Sequence, residues 1–158
     1  MDYLLVGGAS NVGKSETIYR LAIRLLASGF SVVAGTVPAV FTDFKAILKG
    51  NNGNGNIIYV LLNSPTDDVA RIGELKQFYD ESAFLINMVI SSIRGEDEWQ
   101  RTYVFTHMEI TPLTDFVVEI PLARITRRGI NFWPALNWYQ QTVDEIITRT
   151  LAGNPFNI

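Results

Sequence analysis

The sequence predicts an α/β fold, a three-layer α/β/α sandwich with a mainly parallel central sheet and one hairpin at its edge. Three observations carry this. Short, almost wholly apolar runs such as Tyr3-Leu4-Leu5-Val6 and Ile57-Ile58-Tyr59-Val60-Leu61-Leu62 read as strands buried on both faces. These runs alternate with segments of helical period, the order from which helices come to cover a sheet. The 158 residues, 47% hydrophobic and 18% charged, suffice for one domain over 1–158 with a sizeable core, and no linker or internal repeat interrupts them.

The first strand, Tyr3 to Val6, is ended by Gly7-Gly8. Ile18, Leu21, Ala22, Leu25 and Leu26 then recur at helical spacing over residues 14–27, and Gly29 is placed to stop that helix. Phe30 to Ala34 is a second strand, so the opening unit implies parallel pairing with a right-handed crossover. Residues 44–48 and 57–62 flank Gly50-Asn51-Asn52-Gly53-Asn54-Gly55-Asn56, residue types that tolerate positive φ, and form a hairpin. The second of its strands belongs inside the sheet, and the more alternating first one at an edge. Asn63 to Asp68 supplies a loop and a helix start capped by Thr66 or Asp67, with Val69, Ile72, Leu75 and Phe78 as the buried stripe. Strands follow at residues 83–90 and 116–120, separated by a charged and aromatic excursion (95–111) over the sheet edge, read as a short helix plus loop. A last helix opens at Trp133-Pro134 and turns Leu136, Tyr139, Val143, Ile146 and Ile147 inward.

Composition excludes several functions. Lys+Arg 13 against Asp+Glu 16 gives a net charge of -3, which argues against general nucleic-acid binding. With no cysteine, disulfides, cysteine zinc sites and thiol catalysis are excluded. The single histidine, His107, precludes a multi-histidine metal site and reads as a packed residue beside Phe105 and Met108. Met1-Asp2-Tyr3 carries no basic leader, and no apolar stretch approaches the roughly 18 residues of a membrane span, so a soluble, cytoplasmic protein is expected.

One segment carries specific chemistry. Gly8-Ala9-Ser10-Asn11-Val12-Gly13-Lys14-Ser15 matches G-x-x-x-x-G-K-[ST] at every fixed position, between an apolar strand and an amphipathic helix. Glycines let successive main-chain N–H groups turn inward on a phosphate, and the helix start, through Glu16, adds more N–H groups and a positive dipole end. Lys14 would reach the β- and γ-phosphates, and Ser15 would offer its hydroxyl to Mg²⁺. The segment from Leu4 to Leu26 resembles the opening of the P-loop NTPase superfamily. That resemblance implies a P-loop NTPase-like fold and binding of Mg-ATP or Mg-GTP, without naming the reaction.

Other patterns narrow the branch. The D-x-x-G and N-K-x-D motifs of Ras-like GTPases are absent, which favours ATP over GTP. The transporter signature L-S-G-G-Q is absent, and Gly7 or Gly8 stands where some ATPases carry an early second lysine. The superfamily ends an apolar strand with a metal-holding Asp, whereas Ile57 to Leu62 ends in Asn63. Asp67 or Asp68 can serve the metal or the attacking water, or can be a helix cap with acidic dipole complement. Asp43 is a further candidate acid.

Of nine arginines, Arg94 and Arg101 are lid or arginine-finger candidates, or solvated charges paired with Glu96, Asp97 and Glu98. Arg124 can stack on the base, or with Arg127 and Arg128 form a patch for a partner or a phosphate. Phe132, Trp133, Trp138 and Tyr139 read as packing for the last helix, an exposed Trp there marking an oligomer contact. Three functions follow: a slow ATPase acting through a protein partner or homo-oligomer, a small nucleotide or metabolite kinase, and a nucleotide-dependent interaction module without turnover.

Overall fold

The computed structural model of the chain describes residues 1–125 and 131–158. Its elements are β1 (Asp2–Gly7), α1 (Lys14–Ala27), β2 (Ser31–Gly35), β3 (Lys45–Asn51), β4 (Ile57–Asn63), α2 (Val69–Asp80), β5 (Met88–Ile93), α3 (Trp99–His107), β6 (Phe116–Pro121) and α4 (Phe132–Ala152). The six strands form one sheet in the order β2-β3-β4-β5-β1-β6.

The expected α/β class holds, and the sheet is mixed. β4, β5, β1 and β6 run parallel, with Leu4 opposite both Ile90 and Val118. β2, β3 and β4 pair antiparallel. The expected parallel pairing of β1 with β2 is therefore corrected: both neighbours of β1 come from the second half of the chain, and β2 lies at the far edge against β3. Its exposed Ser31 and Val32 suit an edge. β3 is interior rather than an edge strand, since β2 covers its free side and Ala46, Ile47 and Leu48 are fully buried. The Asn/Gly tip forms the expected hairpin, with Asn51 opposite Ile57.

Side-chain alternation along the strands divides the core in two. Leu4 and Val6 face α1 and α4 together with Ile18, Leu21, Leu25, Val143, Ile147 and Leu151. Tyr3 and Leu5 face α2 and α3 with Ile72, Leu75, Val104 and Met108. Helices thus cover both faces, and the short helix expected within residues 95–111 is α3, which lies on one face rather than over the sheet edge.

Smaller corrections have local causes. The cap of α2 is Asp68, whose side chain accepts from the Arg71 N–H, rather than Thr66 or Asp67. β5 starts at Met88, not residue 83, because Asn87 turns its side-chain oxygen to the Tyr59 N–H and ends the preceding loop there. Val69 and Ile146, expected inward, are exposed. Trp133 and Trp138 are also exposed on α4 rather than packed, while the Tyr139 hydroxyl accepts from the Ala123 N–H at 2.6 Å.

Candidate functional site

All four parallel strands end at one edge of the sheet, and the chain leaving each end builds the site. From Gly7 it turns through residues 8–13 before α1 begins. Gly8 (φ 137°) and Gly13 (φ 93°) take conformations that other residues adopt only under strain, and a Cβ on Gly8 would lie 3.0 Å from the Leu122 carbonyl oxygen. Gly13 caps α1 without a side chain, so the first-turn N–H groups and the positive end of the helix dipole stand open at this bend.

Lys14 folds back under the loop. It is 7% exposed, and its Nζ donates to the carbonyl oxygens of Gly8 at 2.8 Å and Ala9 at 2.7 Å. An ammonium has three donors, so one remains. Among the described residues its hydrogen bonds go only to carbonyls, and no carboxylate pairs with it. Burial first, and then the nearby Arg94 guanidinium, hold the Lys14 ammonium below its usual pKa, while Asp67 and Glu98 act in the opposite sense. A buried cation in that state gains from an incoming anion.

Behind the loop lies a buried polar layer built from the ends of β4 and β5. Ser15 Oγ donates to the Ser64 carbonyl at 3.2 Å, and Ser92 Oγ donates to the same carbonyl. Thr66 Oγ1 donates to the Ser92 carbonyl at 3.1 Å. Asn63, fully buried, donates from Nδ2 to the Pro65 carbonyl at 2.9 Å and to Ser91 Oγ at 3.0 Å, whereas its Oδ1 has no partner. Ser64 Oγ also donates to Asp43 Oδ1 at 3.3 Å and accepts from the Phe44 N–H at 2.9 Å, which ties the β2–β3 loop to this layer.

The predicted site residues separate accordingly. Ser10, Asn11, Gly13, Lys14, Ser15 and Glu16 line a cleft of about 380 Å³ whose other walls are Phe41 and Asp43 on one side and Asp67 and Ser92 on the other. Gly8 and Ala9 contribute through their carbonyls. Asp67 is exposed, with Oδ1 held by Arg94 Nη2 at 2.6 Å. Asp68 caps α2 and does not line the cleft.

Arg94, the lid or arginine-finger candidate, is engaged with carboxylates. It is buried at the end of β5, bound to Asp67 and 3.7 Å from Glu98. Arg101 is likewise committed, to Glu119 at 2.6 Å. His107 stacks on Tyr103 with ring centroids 5.1 Å apart, in keeping with the packed reading.

On the other side of the same loop a pocket of about 220 Å³ opens between α1 and α4, with Val12, Leu122, Ile125, Phe132, Leu136 and Tyr139 among its lining residues. Arg124 lies at its mouth and donates to the Ser10 carbonyl at 3.3 Å. Arg127 and Arg128 fall outside the described residues. Among the described residues no group of three or more His, Asp or Glu side chains is gathered as a metal site. Hard oxygens lining the cleft include the Ser15 hydroxyl and the carboxylates of Glu16, Asp43 and Asp67.

Sequence reasoning did not pick out Ser64, Ser91, Ser92 and Phe41, and read Thr66 only as a helix cap. The available signal was polar residues closing apolar runs, Asn63-Ser64 after one and Ser91-Ser92 inside another. No family model, no curated protein and no solved structure matches the chain.

Proposed function

We propose that the chain binds Mg-ATP on the 8–15 loop and hydrolyses it slowly, coupled to a protein partner or a second copy. The observation that carries this is Lys14, a buried ammonium pinned beneath a glycine loop by two carbonyls and without a carboxylate of its own. An anion at the loop would supply the missing charge, and the uncapped start of α1 would supply donors. The glycine-lysine spacing favours a triphosphate over a simple anion. The position of the loop after the central parallel strand β1 is in keeping with a P-loop NTPase-like fold, and the absence of a guanine-reading motif favours ATP.

In this reading the loop amides cradle the β- and γ-phosphates and Lys14 neutralises charge that grows as the γ-phosphoryl leaves. Ser15 and Asp67 would hold Mg²⁺, which binds hard oxygens, needs few protein carboxylates and supplies charge neutralisation when bound. Arg94 fixes Asp67 Oδ1, leaving Oδ2 for the metal or for a water. Asn63 in place of a carboxylate fits slow turnover. The apolar pocket beside Val12 takes the base, with Arg124 at its rim. Use of ATP and the absence of cysteine suit the cytoplasm.

Calorimetric titration with ATP and Mg²⁺, together with phosphate release, tests the reading on the wild type and on Lys14→Ala. Saturable binding that Lys14→Ala abolishes is expected. Equal ATP binding by both proteins would overturn it.

A further inference from the structure

The cleft extends past the phosphate loop to a wall the hydrolysis reading leaves unused. Residues 36–44 join β2 to β3 at the same edge of the sheet as the loop. They are held there from two sides: Tyr19 of α1 donates its hydroxyl to the Ala39 carbonyl at 3.1 Å and sets its ring 5.6 Å from that of Phe41, and Ser64 anchors Asp43 and Phe44. A half-exposed aromatic ring and an exposed carboxylate, two residues apart, are thereby presented to the space in front of Lys14 and Ser15. The cleft volume lies in the roughly 300–1,000 Å³ range of small-molecule sites. The apolar pocket lies on the opposite side of the same loop, so a nucleotide whose base occupies it would end its phosphate chain in the cleft.

The charge of this wall restricts what can bind. Asp43 and Asp67 are both acidic. Of the described cations, Arg94 is paired with Asp67 and Glu98, Arg101 with Glu119, and Lys45 with Glu74 at 2.6 Å, while Arg124 lines the pocket on the other side of the loop. Among the described residues no further cation lines the cleft besides Lys14. A second phosphate-bearing substrate would meet like charge there, whereas an uncharged one would not.

We infer that Phe41 and Asp43 form an acceptor subsite for an uncharged nucleoside, its base on the Phe41 ring and a sugar hydroxyl on Asp43. This rests on the ATP-binding reading and gives that site a preferred acceptor over water. The hydroxyl oxygen bonds to the γ-phosphorus of ATP, and the bond from that phosphorus to the bridging oxygen breaks. The electron pair leaves with ADP, and the hydroxyl proton passes to the Asp43 carboxylate. A phosphorylated nucleoside and ADP are the products. Asp43 is catalytic in this scheme and Phe41 sets specificity.

The test uses the full chain with Mg-ATP and a panel of ribo- and deoxynucleosides beside their 5′-monophosphates. ADP production is followed, products are identified by mass, and ATP binding is read separately by calorimetry. At least one nucleoside should raise ADP production, with its phosphorylated form appearing in equal amount, while its monophosphate should not. Asp43→Asn should lower the nucleoside-dependent rate about 100-fold or more, the range of a positioned proton acceptor, with ATP still binding. Phe41→Ala should raise the nucleoside KM with little change in kcat. ATP binding without stimulation by any nucleoside, or stimulation by monophosphates alone, would overturn the subsite and leave the ATP reading standing. No ATP binding at all would overturn both.

Discussion

Asn63 offers a sharp test of how the site is built, because it stands fully buried at the end of β4 with its side chain bonded to the Pro65 carbonyl and Ser91. In Asn63→Asp the new carboxyl faces the Pro65 carbonyl, an acceptor that only a protonated acid can satisfy. An ordinary Asp ionises near pH 3.9, so staying protonated costs about 1.4 kcal/mol per pH unit above that, or about 4 kcal/mol at pH 7. The folded-state pKa of the introduced group is raised. The variant should therefore be nearest to wild type below about pH 4 and lose stability relative to it as pH rises.

Asn63→Ala removes both Nδ2 bonds without adding a charge. It should cost about 2–4 kcal/mol with no such slope, since one or two buried acceptors are left unpaired. Urea denaturation of the three proteins at pH 4, 5, 6 and 7 reads the difference directly. A stability of Asn63→Asp equal to wild type at pH 7, or a difference that does not change with pH, would refute the reasoning.

Three further outcomes are expected. Lys14→Met leaves the Gly8 and Ala9 carbonyls without their donor and should cost stability, least near neutral pH, where burial opposes the ammonium. The wild type should then gain on Lys14→Met as pH rises toward 10.5, since its folded-state pKa is lowered, and thermal denaturation across pH 7–10 checks this. Asp68→Ala should cost about 1 kcal/mol in urea through loss of the α2 cap, with the affinity for Mg-ATP unchanged by calorimetry, which separates its role from that of Asp67. Leu61→Ala, at a fully buried position between β4 and α2, should cost about 2–5 kcal/mol in the same denaturation assay.

The layered class and most elements were legible because local patterns decide them. Ile18, Leu21, Ala22 and Leu25 repeat at the helical period, and all four are buried. Gly50 to Asn56 has the turn chemistry of a hairpin and forms one. Strand order was not legible, because it depends on which partners win β1. Phe30 to Ala34 looks like a natural neighbour from spacing alone, yet β5 and β6 take both places.

The same distinction runs through the site. The 8–15 loop could be read because its spacing is contiguous. The layer of Asn63, Ser64, Thr66 and Ser92 could not, because it exists only once β4 and β5 lie side by side. Arg94 shows the limit from the other direction: its charge and position after a strand suggested a lid or arginine finger, and its pairing with Asp67, distant in sequence, could not be read.

The placement of β1 also bears on how the protein is made. Its hydrogen-bonding neighbours are residues 88–93 and 116–121, so a growing polypeptide that has emerged only through its first sixty or so residues can close the β2-β3-β4 meander but has nothing to hold its own beginning. The bend after β1 gains its first flanking strand only when residues 88–93 have been made. On the proposed reading, fragments that end before residue 88 should fail to bind nucleotide however intact their glycine-lysine motif.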